Sequence, residues 1–128
     1  MNGNKPPAGL PSRRSECPIA SALDLVGDKW SLLLIRDIGL FGKHRNKDFQ
    51  TASEGIPSNI LADRLKRMTT YGLLEKRRYQ EHPPRYEYHL TRQGEALLPV
   101  VRELAKWSAD NLTGVRIPRA ARARMSKN

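Results

Sequence analysis

Hydrophobic and polar positions change their period several times along this chain, and each change marks an element. From Ile56 to Thr91 the pattern predicts one helix followed by a two-stranded ribbon. Ile60, Leu61, Leu65 and Met68 fall on one side of the helix, and Asn59, Ala62, Asp63, Lys66 and Thr70 on the other. Tyr71-Gly72 stops it, because glycine tolerates the left-handed backbone that a helix end needs. Glu75 to Tyr79 and Tyr86 to Leu90 then alternate, with Tyr86, Tyr88 and Leu90 on one face and Glu87 and His89 on the other. Their connection, Gln80 to Arg85, contains Pro83-Pro84, which cannot donate ladder hydrogen bonds, so the tip is expected to be irregular and exposed. Thr91 is placed to cap the next helix.

Upstream, Ile19, Ala22, Leu23 and Val26 recur at helical spacing behind Pro18, which suits a first helical position because its missing N–H is not needed there. Gly27 ends this helix and Asp28 caps the next, KWSLLLIRDIGLFG, which is apolar nearly all round at Leu32, Leu33, Leu34, Ile35 and Ile38 and is expected to be the central buried helix. Gly39 and Gly42 close it. A short helix from Asn46 or Lys47 to about Ser53, the Glu54-Gly55 turn and the amphipathic helix beyond it constitute a helix-turn-helix, with the second helix as recognition helix. After the hairpin, Leu97, Leu98, Val101, Leu104, Ala105, Trp107 and Leu112 mark a long C-terminal helix, in which Pro99 predicts a kink or a restart. The predicted fold class is mainly α with a small β-hairpin wing: a dimeric winged helix-turn-helix.

Composition divides the chain into three parts. Residues 1–14 are rich in Pro, Gly and Asn and predict a disordered arm; residues 15–114 form the folded domain; residues 115–128 predict a flexible basic tail. The net charge is +10, but the two tails account for 8 of it, so the sum says little about the folded body. Within that body residues 58–92 hold eight Lys and Arg against four acids while the remainder is −2, which places the positive charge on the helix and hairpin. The charge points to nucleic acid or an anionic surface, and the helix-turn-helix layout with its basic hairpin makes double-stranded DNA the expected partner. Ser58 and Asn59 stand at the N-terminus of the recognition helix, where side chains reach base edges, and asparagine suits adenine. Ala62 and Asp63 share its exposed face, Lys66 and Arg67 are expected to hold phosphates, and Arg64 falls near the apolar side, where it can pair internally. Arg77, Arg78, His82 and Arg85 surround the hairpin tip, and Arg85 beside two prolines is held at low entropic cost. A solvated helix face and a hairpin kept soluble by charge are the plain alternatives.

A chain of 128 residues buries a modest core, so a homodimer is expected, with the apolar stripe Leu97, Val101, Leu104 and Trp107 as its surface together with Leu23 of the first helix. No secretory signal pattern and no membrane-spanning run is present in the sequence, which predicts a cytoplasmic protein without a membrane partner. His44, His82 and His89 do not sit at metal-ligand spacing with one another or with Cys17, no Gly-rich phosphate loop occurs, and neither a metal nor another cofactor is expected.

An ordered set of motifs resembles the HxlR family of winged helix-turn-helix transcription regulators: Cys17-Pro18, Gly27-Asp28-Lys29-Trp30, Glu54-Gly55-Ile56, Asn59 to Leu65, Gly72-Leu73-Leu74, Pro83 to Thr91, Gly94 and Trp107. Together they span residues 17–112; the chain departs at Asn46, where relatives usually place an aromatic. The resemblance implies a homodimer formed mainly by the first and last helices that binds operator DNA and represses or activates genes. It also bears on Cys17, since some relatives sense oxidants or electrophiles with the corresponding cysteine. A thiol before Pro18 at a helix N-terminus gains thiolate character, whereas the plain reading is a small packed residue. The sequence leaves room for a small-molecule effector that it does not identify. Two rivals stand beside the regulator: a nucleic-acid-binding protein of RNA or the nucleoid without sequence preference, which the basic charge equally supports, and a thiol enzyme built on Cys17, for which no family signature is present.

Overall fold

The computed structural model describes residues 10–117. Helices α1 (Pro18–Val26), α2 (Ser31–Gly39), α3 (Asn46–Gln50) and α4 (Ser58–Thr70) come first; strands β1 (Leu74–Gln80) and β2 (Arg85–Leu90) follow; a single turn, α5 (Arg92–Glu95), and α6 (Leu98–Asn111) complete the order. The chain is mainly helical with one antiparallel hairpin.

Helix α1 starts at Pro18 and stops at Gly27 as its sequence dictates. Helix α2 begins two residues later than its apolar pattern suggests. Asp28 Oδ2 accepts the N–H groups of Trp30 and Ser31 at 3.0 and 3.1 Å, and its Oδ1 accepts the Ser31 hydroxyl at 2.6 Å. This carboxylate satisfies donors that the first turn leaves open and holds Trp30 outside the helix. Leu34, Ile35 and Ile38 of α2 are buried in one cluster with Phe49, Leu61, Leu65, Met68, Leu73, Leu74 and Val101, so α2 is the central helix. It packs against α6 and β2. A Cβ at Gly39 would stand 2.6 and 2.8 Å from the terminal methyls of Leu98 and Leu90, so these side chains pack directly on the end of α2 and would have to shift to admit a larger residue.

Gly55 and Gly72, both with positive φ, make the turns into and out of α4. In the hairpin, Leu74 pairs with Leu90, Lys76 with Tyr88 and Arg78 with Tyr86, and an irregularity between Arg78 and Gln80 leads into the exposed proline tip. Sequence alternation did not reveal what covers the outer edge of β2. The Tyr88 N–H donates to the His44 carbonyl at 2.8 Å, the His44 and His89 rings stack with centroids 4.1 Å apart, and Arg45 reaches Glu87. The loop before α3 therefore covers part of the outer edge of β2.

The Thr91 hydroxyl accepts the Gly94 N–H at 3.1 Å and donates to the Gly72 carbonyl at 2.5 Å, capping α5 and tying it to the end of α4. Pro99 acts as a restart: α5 ends at Glu95 and α6 begins at Leu98, with the proline in its first turn. Of the expected arm and tail, residues 1–9 and 118–128 lie outside the described residues. At the margins that are described, Arg14 pairs with Asp24 at 2.5 Å and Ile117 packs partly on the core cluster. No helix among the described residues is long and apolar enough to cross a membrane.

Candidate nucleic-acid interface

Leu61, Leu65 and Met68 turn one side of α4 inward, which leaves Ser58, Asn59, Ala62, Lys66, Arg67 and Thr70 exposed along the other. Ser58 and Asn59 form the first helical turn, where backbone N–H groups lack helical partners and the helix dipole is positive. Lys66 makes no ion pair among the described residues. Asp63 is a more constrained member of the predicted set, because its carboxylate is held by Arg64 and by Arg67, the latter at 3.0 Å.

Two arginine bridges tie α2 and α4 each to the segment that leads into the other: Arg64 of α4 to Asp28 before α2, and Arg36 of α2 to Glu54 before α4. Arg64 pairs internally, its Nε 2.9 Å from Asp28 Oδ2, so the carboxylate that starts α2 also anchors α4. Burial alone pushes the Asp28 carboxyl up, but the Ser31 hydroxyl, the Arg64 guanidinium and the Trp30 N–H outweigh it and hold the group below the ordinary aspartate range. In the second bridge Arg36 of α2 grips Glu54 through two hydrogen bonds of 2.9 and 3.0 Å, and its own neighbour Asp37 at 2.7 Å. Glu54 stands just before Gly55, in the turn between α3 and α4. The Arg36 hydrogen bonds hold its carboxyl low, whereas burial pushes that of Asp37 up.

The hairpin arginines are occupied to different degrees. Arg77 pairs with Glu75 at 2.8 Å, and Arg78 with Glu81 at 3.0 Å and the Tyr86 hydroxyl at 3.3 Å. Exposed pairs of this kind are weak enough to re-form on phosphate. Arg85 and His82 are exposed at the tip, and Arg85 has no ion pair among the described residues. Three cations outside the predicted set, Arg45, Lys47 and Lys76, lie beside them around a cavity between α3 and the hairpin. Strand register was the missing signal: Lys76 pairs with Tyr88 and so shares its face.

The predicted dimer surface needs one correction. Val101 is 8% exposed, buried in the protein's own core and not available to a partner, while Leu97 packs partly on that core and keeps part of its surface exposed. The stripe at heptad-like spacing is wider than the contact with α2, and α6 turns only part of it inward. Leu104 and Trp107 face outward at 50% and 58% exposure, Val100 joins them, and in α1 Ile19 and Leu23 are 70% and 51% exposed instead of packed. Cys17 is exposed at the cap position of α1, its N–H bonded to the Ser15 hydroxyl. No group of three or more His, Cys, Asp or Glu side chains that could hold a metal occurs among the described residues.

Residues 25–115 match the model of the family described as HxlR-like helix-turn-helix. The chain is 35% identical over 94 residues to the uncharacterised HTH-type transcriptional regulator sll1512 of Synechocystis sp., covering 73% of this chain and 69% of that protein. Among solved structures it is similar to PA1607, a candidate transcription factor, at 32% identity and a TM-score of 0.70 over 84% of this chain and 83% of the other. It is also similar to the redox regulator HypR in its reduced form, at 27% identity and a TM-score of 0.66 over 75% of this chain and 94% of the other.

Proposed function

The chain belongs to the HxlR-like helix-turn-helix family and is a transcriptional regulator of the helix-turn-helix type; from this we propose that it acts as a homodimer on a specific operator in double-stranded DNA. The observation that carries the reading is the exposed polar face of α4, flanked by a basic hairpin and linked to the central helix by the bridges of Arg64 to Asp28 and Arg36 to Glu54. Ser58 and Asn59 read base edges in the major groove, Ala62 and Asp63 set how closely the helix approaches, and Lys66 and Arg67 hold phosphates. Arg77, Arg78, His82 and Arg85 of the hairpin contact the backbone or the minor groove beside it. In this reading the chain is a regulator and not an enzyme, and it works in the cytoplasm where the DNA is.

The dimer surface is the outward face of α1 and α6, namely Ile19, Leu23, Leu104 and Trp107, which no other described element covers. Large apolar side chains grouped at this exposure are typical of an interface. Cys17 borders this face at the start of α1, and its exposure together with the likeness to HypR supports a redox response. Oxidation there would shift the two protomers and with them the spacing of the recognition helices.

Selection of bound duplexes from a random pool tests the proposal. A palindromic site with half-site centres about one helical turn apart, about 34 to 36 Å, is the expected product. Recovery of sequences without any preference would favour the reading as a non-specific nucleic-acid-binding protein.

A further inference from the structure

A cavity of about 410 Å³ lies between α3 and the hairpin, within the range of about 300 to 1,000 Å³ that small-molecule sites occupy. Four cationic side chains line it, Arg45, Lys47, Lys76 and Arg85, and no carboxylate does. Glu87, outside the lining, reaches Arg45 at 3.4 Å; the other three cations have no ion pair among the described residues. With one carboxylate for four cations the net charge here stays positive, and a concave wall concentrates the resulting potential. Aromatic rings stand in the same wall. The Arg45 guanidinium lies 3.9 Å from the centre of the Tyr79 ring, and Lys76 Nζ lies 4.3 Å from that of Tyr86. Phosphate recognition calls for the cations alone; cations paired with ring faces suit a ligand that is both charged and flat.

We propose that this cavity binds a small planar anion, an aromatic carboxylate of one or two rings. Its carboxylate is taken by the lysine and arginine heads and its ring is laid against a tyrosine. Because Arg85 serves both this cavity and the DNA interface, occupation of the cavity opposes operator binding, and DNA opposes the ligand by the same factor. That coupling rests on the DNA-binding reading; the ligand site does not.

The test is an NMR titration of the full ¹⁵N-labelled chain with benzoate. Benzamide, which keeps the ring and lacks the charge, and inorganic phosphate, which keeps the charge and lacks the ring, serve as controls at constant ionic strength. Benzoate is expected to move the amides of Lys76, Tyr79 and Tyr86 along a saturable curve, about tenfold tighter than either control. Lys76→Gln, exposed and outside the core, should weaken it by about threefold or more while the rest of the spectrum stays unchanged. An equal response to phosphate and benzoate would overturn the aromatic assignment and make the cavity a seat for DNA phosphate, and the absence of a saturable response would overturn the site itself. Duplex affinity measured with and without saturating benzoate then tests the coupling: a loss in the wild type that Lys76→Gln blunts supports it, and unchanged affinity in a chain that binds benzoate overturns the coupling alone.

Discussion

Arg64 Nε lies 2.9 Å from Asp28 Oδ2, and that same oxygen accepts the N–H groups of Trp30 and Ser31. One carboxylate therefore starts the central helix and fixes the orientation of the recognition helix. Removing it acts on both. Asp28→Ala is expected to destabilise the chain by about 1 to 3 kcal/mol, since it strips a cap and leaves a partly buried guanidinium with one partner fewer. A double-mutant cycle with Arg64→Met, read by urea unfolding, should give a coupling of about 0.5 kcal/mol or more; additive losses would mean that the two groups act separately.

The same residue sets an acid limit. The folded-state pKa of Asp28 lies below its unfolded value, so its contribution is fully present above about pH 3.9 and is lost as pH falls through the folded value. Glu54 follows the same sign through Arg36, while Asp37, raised by burial, works in the opposite direction. Wild type and Asp28→Ala should therefore differ at pH 7 and converge as the pH falls through the lowered folded-state value of Asp28. A gap that stays constant between those conditions would assign the loss to packing.

Base reading and phosphate holding separate by substitution. Asn59→Ala should weaken the cognate site more than random DNA, whereas Arg85→Ala should weaken both alike. Roughly 8 to 10 phosphate contacts per dimer predict a log–log salt slope of roughly −7 to −9. Equal losses on both DNAs for Asn59→Ala would remove that side chain from the readout.

For the dimer, Leu104→Glu on the outward face of α6 is expected to yield a folded monomer by light scattering at tens of micromolar, roughly the range in which a micromolar dissociation constant is visible. Val101→Ala, a truncation within the core, should lower stability by about 1 to 3 kcal/mol and leave association largely intact. A wild type that is monomeric at that concentration would remove the proposed interface.

Cys17 is the only cysteine, so its oxidation products are a sulfenic acid, a mixed disulfide with a small thiol, or a bridge between protomers. Mild peroxide or quinone should modify it in the native protein and lower operator affinity, and Cys17→Ser should resist. Equal losses in both proteins, or an unmodified Cys17 by mass spectrometry, would return the thiol to a purely structural role.

Most of the fold was legible because its signals are local. Pro18, Gly55, Gly72, Thr91 and Pro99 each act within a few residues of themselves, and the period of α4 separates its buried side from its polar one. The angle of Arg64 on the helix leaves internal pairing open, but its partner, 36 residues earlier, is not visible in the sequence. Contacts between distant segments carried no such signal. The loop that covers β2 and the cavity beside α3 arise from side chains more than 25 residues apart in sequence, such as Arg45 and Tyr79. The dimer stripe failed in part for a related reason: period shows which residues share a face, but not how much of that face the protein's own core claims.

The hydrogen bond from Tyr88 to His44 makes the base of the hairpin and the entry to α3 a single unit of opening. The stacked His44 and His89 rings lie beside it, so the Tyr88 amide should exchange with solvent slowly while amides at the proline tip exchange fast. A wing rooted in this way is already in place when it meets its partner. Its ordering entropy is spent during folding, and a hairpin that arrives preformed can dock at the rate of encounter without waiting for its own assembly.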